Sequence, residues 1–332
     1  MDICDLHCDL LCYLAHDSTR SPSNPEVRCS IPQLNEGGVK SQVLPIFTST
    51  EKGSAQKGMA QWGVYKKLQI EGVRLSLAVE NCSALCEEDE PLANCLERLD
   101  RLGSLTYASL TWNGENRFGG GAGSTKGLKE DGKELLRHLS GKRIAVDFSH
   151  ASDWLAYDIL NQMDREGLDL PILASHSNFR AVHDAVRNLP DDLAVEIFKR
   201  GGVIGINFVK MFTGPTPDYY VKQIEHALAL GGEDQLCLGA DFFYGMDVPA
   251  DQRKPPEIYW FEDFGNASCY PRFFQLLKGH FSEEMLRKLA HGNFNTKIER
   301  REFQAVVTDN NLQSSEIRIQ RKDAKNAERG LN

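Results

Sequence analysis

No stretch of the 332-residue chain approaches the ~18 consecutive apolar residues that a membrane-crossing helix needs. The amino-terminal MDICDLHCDL also lacks the basic and clean apolar segments of a secretion signal. The expectation is a cytoplasmic protein with no membrane partner. Blocks of Lys and Arg able to neutralise a run of phosphates are missing too, and 38 basic side chains face 47 acidic ones, which argues against nucleic acid as a partner. Paired CxxC spacing is absent among the nine cysteines, an odd and scattered set. Cys82 and Cys86 have no second pair at zinc-ribbon spacing, so free buried thiols are expected.

What the chain does have is apolar material, 41% of residues against 26% charged, enough for a sizeable core and too much for a disordered polymer. It is arranged in eight short β-rich runs: ICDLHCDLL near the start, QVLPIF at 42–47, VRLSLAVE at 73–80, LTYASLTW at 105–112, RIAVDFSH at 143–150, LPILASHS at 170–177, GVIGINFV at 202–209 and QLCLGADF at 235–242. Parallel neighbours need a crossover of a dozen or more residues, and the intervening segments are long enough to supply one. ASDWLAYDILNQMDREG and PDDLAVEIFKRGG carry apolar residues at helical spacing with glycine after the last turn. The pattern predicts an α/β fold, a (β/α)8 barrel of the TIM-like, metal-dependent hydrolase type, as one domain over 1–308. The polar stretch 309–332 has little to bury and is expected to be a mobile tail. The Gly-rich NRFGGGAGSTKG and the Pro-rich VPADQRKPPEIYW break the alternation and fit active-site loops.

His7 with Asp9, Glu80, His150 and His176 each fall at the end of a different predicted strand. In a barrel those ends converge on one face, where catalytic residues are drawn from several strands, so the distribution suits a site and not a core. His7 and Asp9 are two apart, which on an extended strand aims both to one side. Three imidazoles and two carboxylates suit Zn2+, and a shared carboxylate, for which Glu80 is the candidate, would hold two ions about 3.5–4 Å apart. Arg187 lies in a loop before a helix starting near Pro190, where a guanidinium could grip a substrate carboxylate bidentately. Asp241 closes the eighth run, where it could serve as a proton shuttle or as a buried structural carboxylate.

With these residues assembled, the chain resembles the membrane (renal) dipeptidase family of zinc peptidases from Asp5 to about residue 300. The motifs that carry the likeness are DLHCD at 5–9, AVEN at 78–81, DFSH at 147–150, SHSNFRAVHDAVRNLPDD at 175–192 and LGADF at 238–242. The resemblance implies one zinc on His7 and Asp9, a second on His150 and His176, Glu80 bridging them, Arg187 on the substrate carboxylate and Asp241 as the catalytic aspartate. It implies hydrolysis of dipeptides, including those with a C-terminal D-residue, by a metal-bridging water. Where many members carry a histidine that contacts the substrate carbonyl, this chain has Trp112, whose indole N–H can donate but cannot accept; Asn113 and Asn116 are further candidate donors. The family's DFDG stretch reads DFFYG here. The absence of a hydrophobic anchor signal makes the chain look like the microbial, cytoplasmic form.

Two rival readings stay open at this level. One is another binuclear amidohydrolase acting on a non-dipeptide amide, although the fourth run ends in LTWN without the lysine such enzymes often carboxylate. The other is a metal-binding protein without peptidase activity, motivated by Trp112. Barrel enzymes often form homo-oligomers, and no segment identifies an interface.

Overall fold

Each of the eight apolar runs contains a strand in the computed structural model, which describes residues 1–299. The strands are β1 (Ile3–Asp5), β2 (Val39–Phe47), β3 (Arg74–Glu80), β4 (Tyr107–Ser109), β5 (Ala145–Asp147), β6 (Ile172–Leu173), β7 (Ile204–Ile206) and β8 (Leu236–Leu238). All pair in parallel in the order β6-β5-β4-β3-β2-β1-β8-β7, and a bridge between Ala174 and Ile204 joins the two ends into a barrel. Pro45 sits inside β2, where a missing N–H would normally break a ladder. It is tolerated because the β1 pairing ends at Gln42, so only the β3 side continues past it.

Helices follow the strands, as the crossover argument requires. The helix Asp153–Glu166 starts on Ser152, whose hydroxyl accepts from Leu155 N, and stops at Gly167 in the left-handed conformation. The helix Asp191–Lys199 begins after Pro190. A large apolar cluster fills the space between strands and helices. A smaller one fills the barrel itself, with Cys4, Val43, Ala78, Tyr107, Ala145, Leu173 and Cys237 each reaching in from a different strand. Phe294 and Ile298 belong to this inner cluster and also face Arg74 and Leu105 near the strand starts, so they plug the amino-terminal mouth. Eight of the nine cysteines are buried, Cys12 is half-buried, and all are free. The expected tail and the boundary at 308 lie outside the described residues.

Candidate metal centre and its cavity

The carboxy-terminal mouth is the opposite of the plugged one. Glu80 is the last residue of β3, and His7, His150, His176 and Asp241 lie two or three residues beyond β1, β5, β6 and β8. These side chains meet. Glu80 Oε2 lies 3.2 Å from His7 Nε2, while its Oε1 lies 2.9 Å from His150 Nε2 and 3.9 Å from His176 Nε2. His7 Nε2 is also 3.8 Å from Asp9 Oδ1 and 3.7 Å from Asp241 Oδ1. Three overlapping sets could hold an ion: His7, Asp9 and Glu80; Glu80, His150 and His176; and His7, His176 and Asp241. The last set gives Asp241 a second capacity, as a ligand, that its position at a strand end did not disclose.

The reason for the convergence of His7 and Asp9 differs from the expected one. Asp9 is not on an extended strand; its φ of −88° and ψ of 33° belong to the start of the helix Leu10–His16. A turn, not the two-residue strand period, brings the pair together. His150 and Asp241 adopt the left-handed region, with φ of 68° and 63°. Non-glycine residues held there cost about 1–3 kcal/mol and cluster at functional sites. His176 approaches over glycine: a Cβ on Gly205 or Gly239 would sit 2.1 or 1.9 Å from the Ser175 carbonyl oxygen.

A second layer fixes the rings. Tyr107 donates its hydroxyl proton to Leu6 O at 3.0 Å, so at 2.8 Å from His7 Nδ1 it must accept, leaving His7 Nε2 with a free lone pair. Ser175 donates to Asp147 Oδ2 at 2.6 Å and therefore accepts from His176 Nδ1 at 2.7 Å, with the same result. His150 Nδ1 has two neighbours, Asn113 Oδ1 at 2.8 Å and Arg187 Nε at 3.1 Å. The Asn113 contact needs a proton on Nδ1 and is the one that leaves Nε2 bare toward Glu80. Asn207, which no sequence signal singled out, donates to Asp241 Oδ2 at 3.0 Å and steadies it.

The donor set fits a cation. His7 Nε2, His176 Nε2 and Asp9 Oδ1 are buried atoms with no hydrogen-bond partner, all aimed into the same space. Burial, followed by the Arg187 charge for His150 and by the His7 charge for His176, holds both imidazoles well below the ordinary histidine range, keeping them neutral. Burial also pushes the Glu80 carboxyl up to about 8 and Asp241 up to about 7, and raises Asp9. Neutral imidazoles and carboxylates that resist ionising side by side are what positive charge at their centre would reconcile.

The centre forms the floor of a cavity of about 460 Å3. Arg187 lines it, 7% exposed, with Nη1 donating to Ser177 Oγ and Nη2 to His176 O. Trp112 forms a wall edge-on to Phe47, its ring centroid 6.1 Å from that of His150. Asn113 also lines the cavity, whereas Asn116 does not: its amide is engaged with Asn81, Ser83 and Leu110. Both irregular stretches contribute, through Ala122 and Gly123 of the Gly-rich segment and Val248, Pro249 and Tyr259 of the Pro-rich one. Among the described residues no helix is long and apolar enough to cross a membrane.

Comparison with known proteins supplies the family and the fold. The profile of the membrane dipeptidase family, peptidase family M19, matches residues 59–311. An uncharacterized dipeptidase of Schizosaccharomyces pombe is 31% identical over 167 residues, covering 46% of this chain and 39% of that protein. Two solved structures share the fold. One, a metallopeptidase from Rhodobacter sphaeroides liganded with a phosphinate mimic of the dipeptide L-Ala-D-Ala, superposes with a TM-score of 0.72 at 19% identity, covering 90% of this chain and 99% of the other. The second, a dipeptidase of family M19, gives 0.73 at 20% identity, covering 90% and 98%. A barrel with a histidine and carboxylate cluster at its carboxy-terminal mouth, matched by the profile over most of its length, belongs to the membrane dipeptidase family of metallopeptidases, hydrolases of the peptide bond.

Proposed function

We propose that the protein is a zinc-dependent dipeptidase with a binuclear centre. The observation that carries this reading is the placement of Glu80, whose Oε2 faces His7 while its Oε1 faces His150 and His176. His7 and Asp9 would hold one ion, His150 and His176 the other, and Glu80 both. Such a pair of zinc ions supplies Lewis acidity and makes a water nucleophilic at neutral pH.

The remaining work falls to side chains. Arg187 sits on the β6 side of the cavity and would fix the free carboxylate of the substrate, which restricts cleavage to peptides with the scissile bond one residue from the carboxyl end. Asp241, at the edge of the centre, is placed to accept a proton from the attacking water and return it to the leaving amine. Asn207 keeps Asp241 Oδ2 engaged, so Oδ1 is the oxygen that faces the centre. Trp112, Phe47, Phe212 and Tyr259 would exclude bulk water. Trp112 and Asn113 flank the site of the substrate carbonyl. The phosphinate mimic of L-Ala-D-Ala held by the Rhodobacter relative supports including C-terminal D-residues among the substrates.

The test is hydrolysis of a panel of L,L and L,D dipeptides, free and C-terminally amidated, with zinc content determined on the same sample and a chelated control. Chelator-sensitive cleavage of free dipeptides with about two ions per chain is expected. Equal cleavage of amidated substrates would remove the carboxylate clamp, and two ions without cleavage would favour a different amide substrate.

A further inference from the structure

Two aspartates that do not reach the centre are used in the same way on its two sides. Asp5 is the last residue of β1 and Asp147 the last residue of β5, and each is 1% exposed. Asp5 accepts from His7 N at 2.7 Å and Gln42 Nε2 at 3.1 Å through Oδ1, and from Ala240 N at 3.0 Å and the Tyr270 hydroxyl through Oδ2. Asp147 accepts from Ser149 N and Ser175 N, both at 2.9 Å, through Oδ1, and from Ser175 Oγ at 2.6 Å through Oδ2.

The two patterns match in their logic. Each carboxylate takes the amide two residues ahead on its own chain segment and an amide at the end of the neighbouring strand. Asp5 thereby ties His7 to Ala240, which precedes Asp241. Asp147 ties Ser149, which precedes His150, to Ser175, which precedes His176. In both cases the backbone carrying one metal-facing residue is clamped to the backbone carrying another, and Asp147 also orients the His176 ring through Ser175.

We infer that Asp5 and Asp147 are positioning residues, each presetting the ligands of one ion: Asp5 the His7 side, Asp147 the His150 and His176 side. This rests on the binuclear reading above. An uncommitted structural role, tying the barrel rim together, would lower stability without distinguishing the ions. At Asp5 both oxygens accept from N–H groups, so an asparagine there turns one acceptor into an NH2 group that faces a donor; at Asp147 both amides share Oδ1, which an asparagine would keep, so alanine is the substitution that removes the acceptor. Each substitution breaks its clamp.

The experiment follows zinc retained by the purified holoprotein against increasing chelator, with melting curves on the same samples. Asp147→Ala is expected to release one ion about 10–100-fold more readily while the other is held as in the unsubstituted protein, and Asp5→Asn to do the same for the other ion. Combination identifies the ions. Asp147→Ala should change nothing further in a His176→Ala background and leave no tightly held ion in a His7→Ala background. Ser175→Ala frees the His176 ring and Tyr270→Phe loosens Asp5, so each should release the same ion as its aspartate variant, to a smaller extent, and they carry the test where an aspartate variant fails to fold. Two ions on the unsubstituted protein, lost together in each single variant, would overturn the partition alone. Fewer than two ions there would overturn the binuclear reading and the partition with it.

Discussion

The two ends of one barrel obey opposite rules. Inside, Val43, Ala78, Leu173 and their neighbours are buried apolar side chains, each adding about 1.5–3 kcal/mol for a large one by leaving water. At the carboxy-terminal mouth the same strands lead into Glu80, Asp241 and three histidines, groups whose burial is unfavourable unless something pairs with them. The interior makes the fold stable. The rim draws on that stability to hold groups, and two left-handed backbones, that would not stay together unaided.

Substitutions can break or sharpen this division. The largest effect is expected at the rim: Asp241→Asn should lower kcat by roughly 10²–10⁴-fold with zinc content and melting temperature nearly unchanged. Turnover within a few-fold of normal would remove Asp241 from proton transfer. In the interior the signs invert, because Leu173→Ala should cost about 2–5 kcal/mol of stability in a denaturant titration yet leave zinc per folded chain intact. Loss of zinc alongside stability would show that the two ends are not separable. Arg187→Ala should raise KM for free dipeptides by about 10–100-fold, the worth of a charge-assisted hydrogen bond or two, and leave amidated substrates unaffected.

The smallest effect concerns the chelated protein. Glu80 and Asp241 are raised above their ordinary values by burial, so their contribution to stability is full below the ordinary carboxylate range and lost as pH rises through about 7 and about 8. Without metal the protein should melt a few degrees higher at ~pH 5.5 than at ~pH 8, and zinc should abolish the difference. A stripped protein that is more stable at the higher pH would show that the carboxylates find other compensation.

Much of this was legible before the structure, for stated reasons. Strands surfaced because parallel strands buried on both faces read as continuous apolar runs, and the helix Asp153–Glu166 because its cap and its terminal glycine flank a helical period. The residues of the centre surfaced because polar groups at the ends of apolar runs are out of place in a core. What sequence could not carry is conformation and distance. It put His7 and Asp9 on one strand, when Asp9 opens a helix. It could not show that His150 and Asp241 need left-handed backbones, nor that Asn116, three residues from Asn113, turns away from the cavity. Tyr107, Asn207, Asp5 and Asp147 are ordinary polar residues until partners far away in the chain give them a role.

The plug at the amino-terminal mouth sets a timetable for synthesis. Asp5 meets Ala240 across 235 positions of chain, and Cys4 meets Asn295 across 291. Local βα units can form as they emerge, but the ring cannot close until β8 has been made, and Phe294 and Ile298, which complete its inner cluster, come later still. A chain halted before that point would carry His7, Asp9, Glu80, His150 and His176 without the closed ring that brings them together.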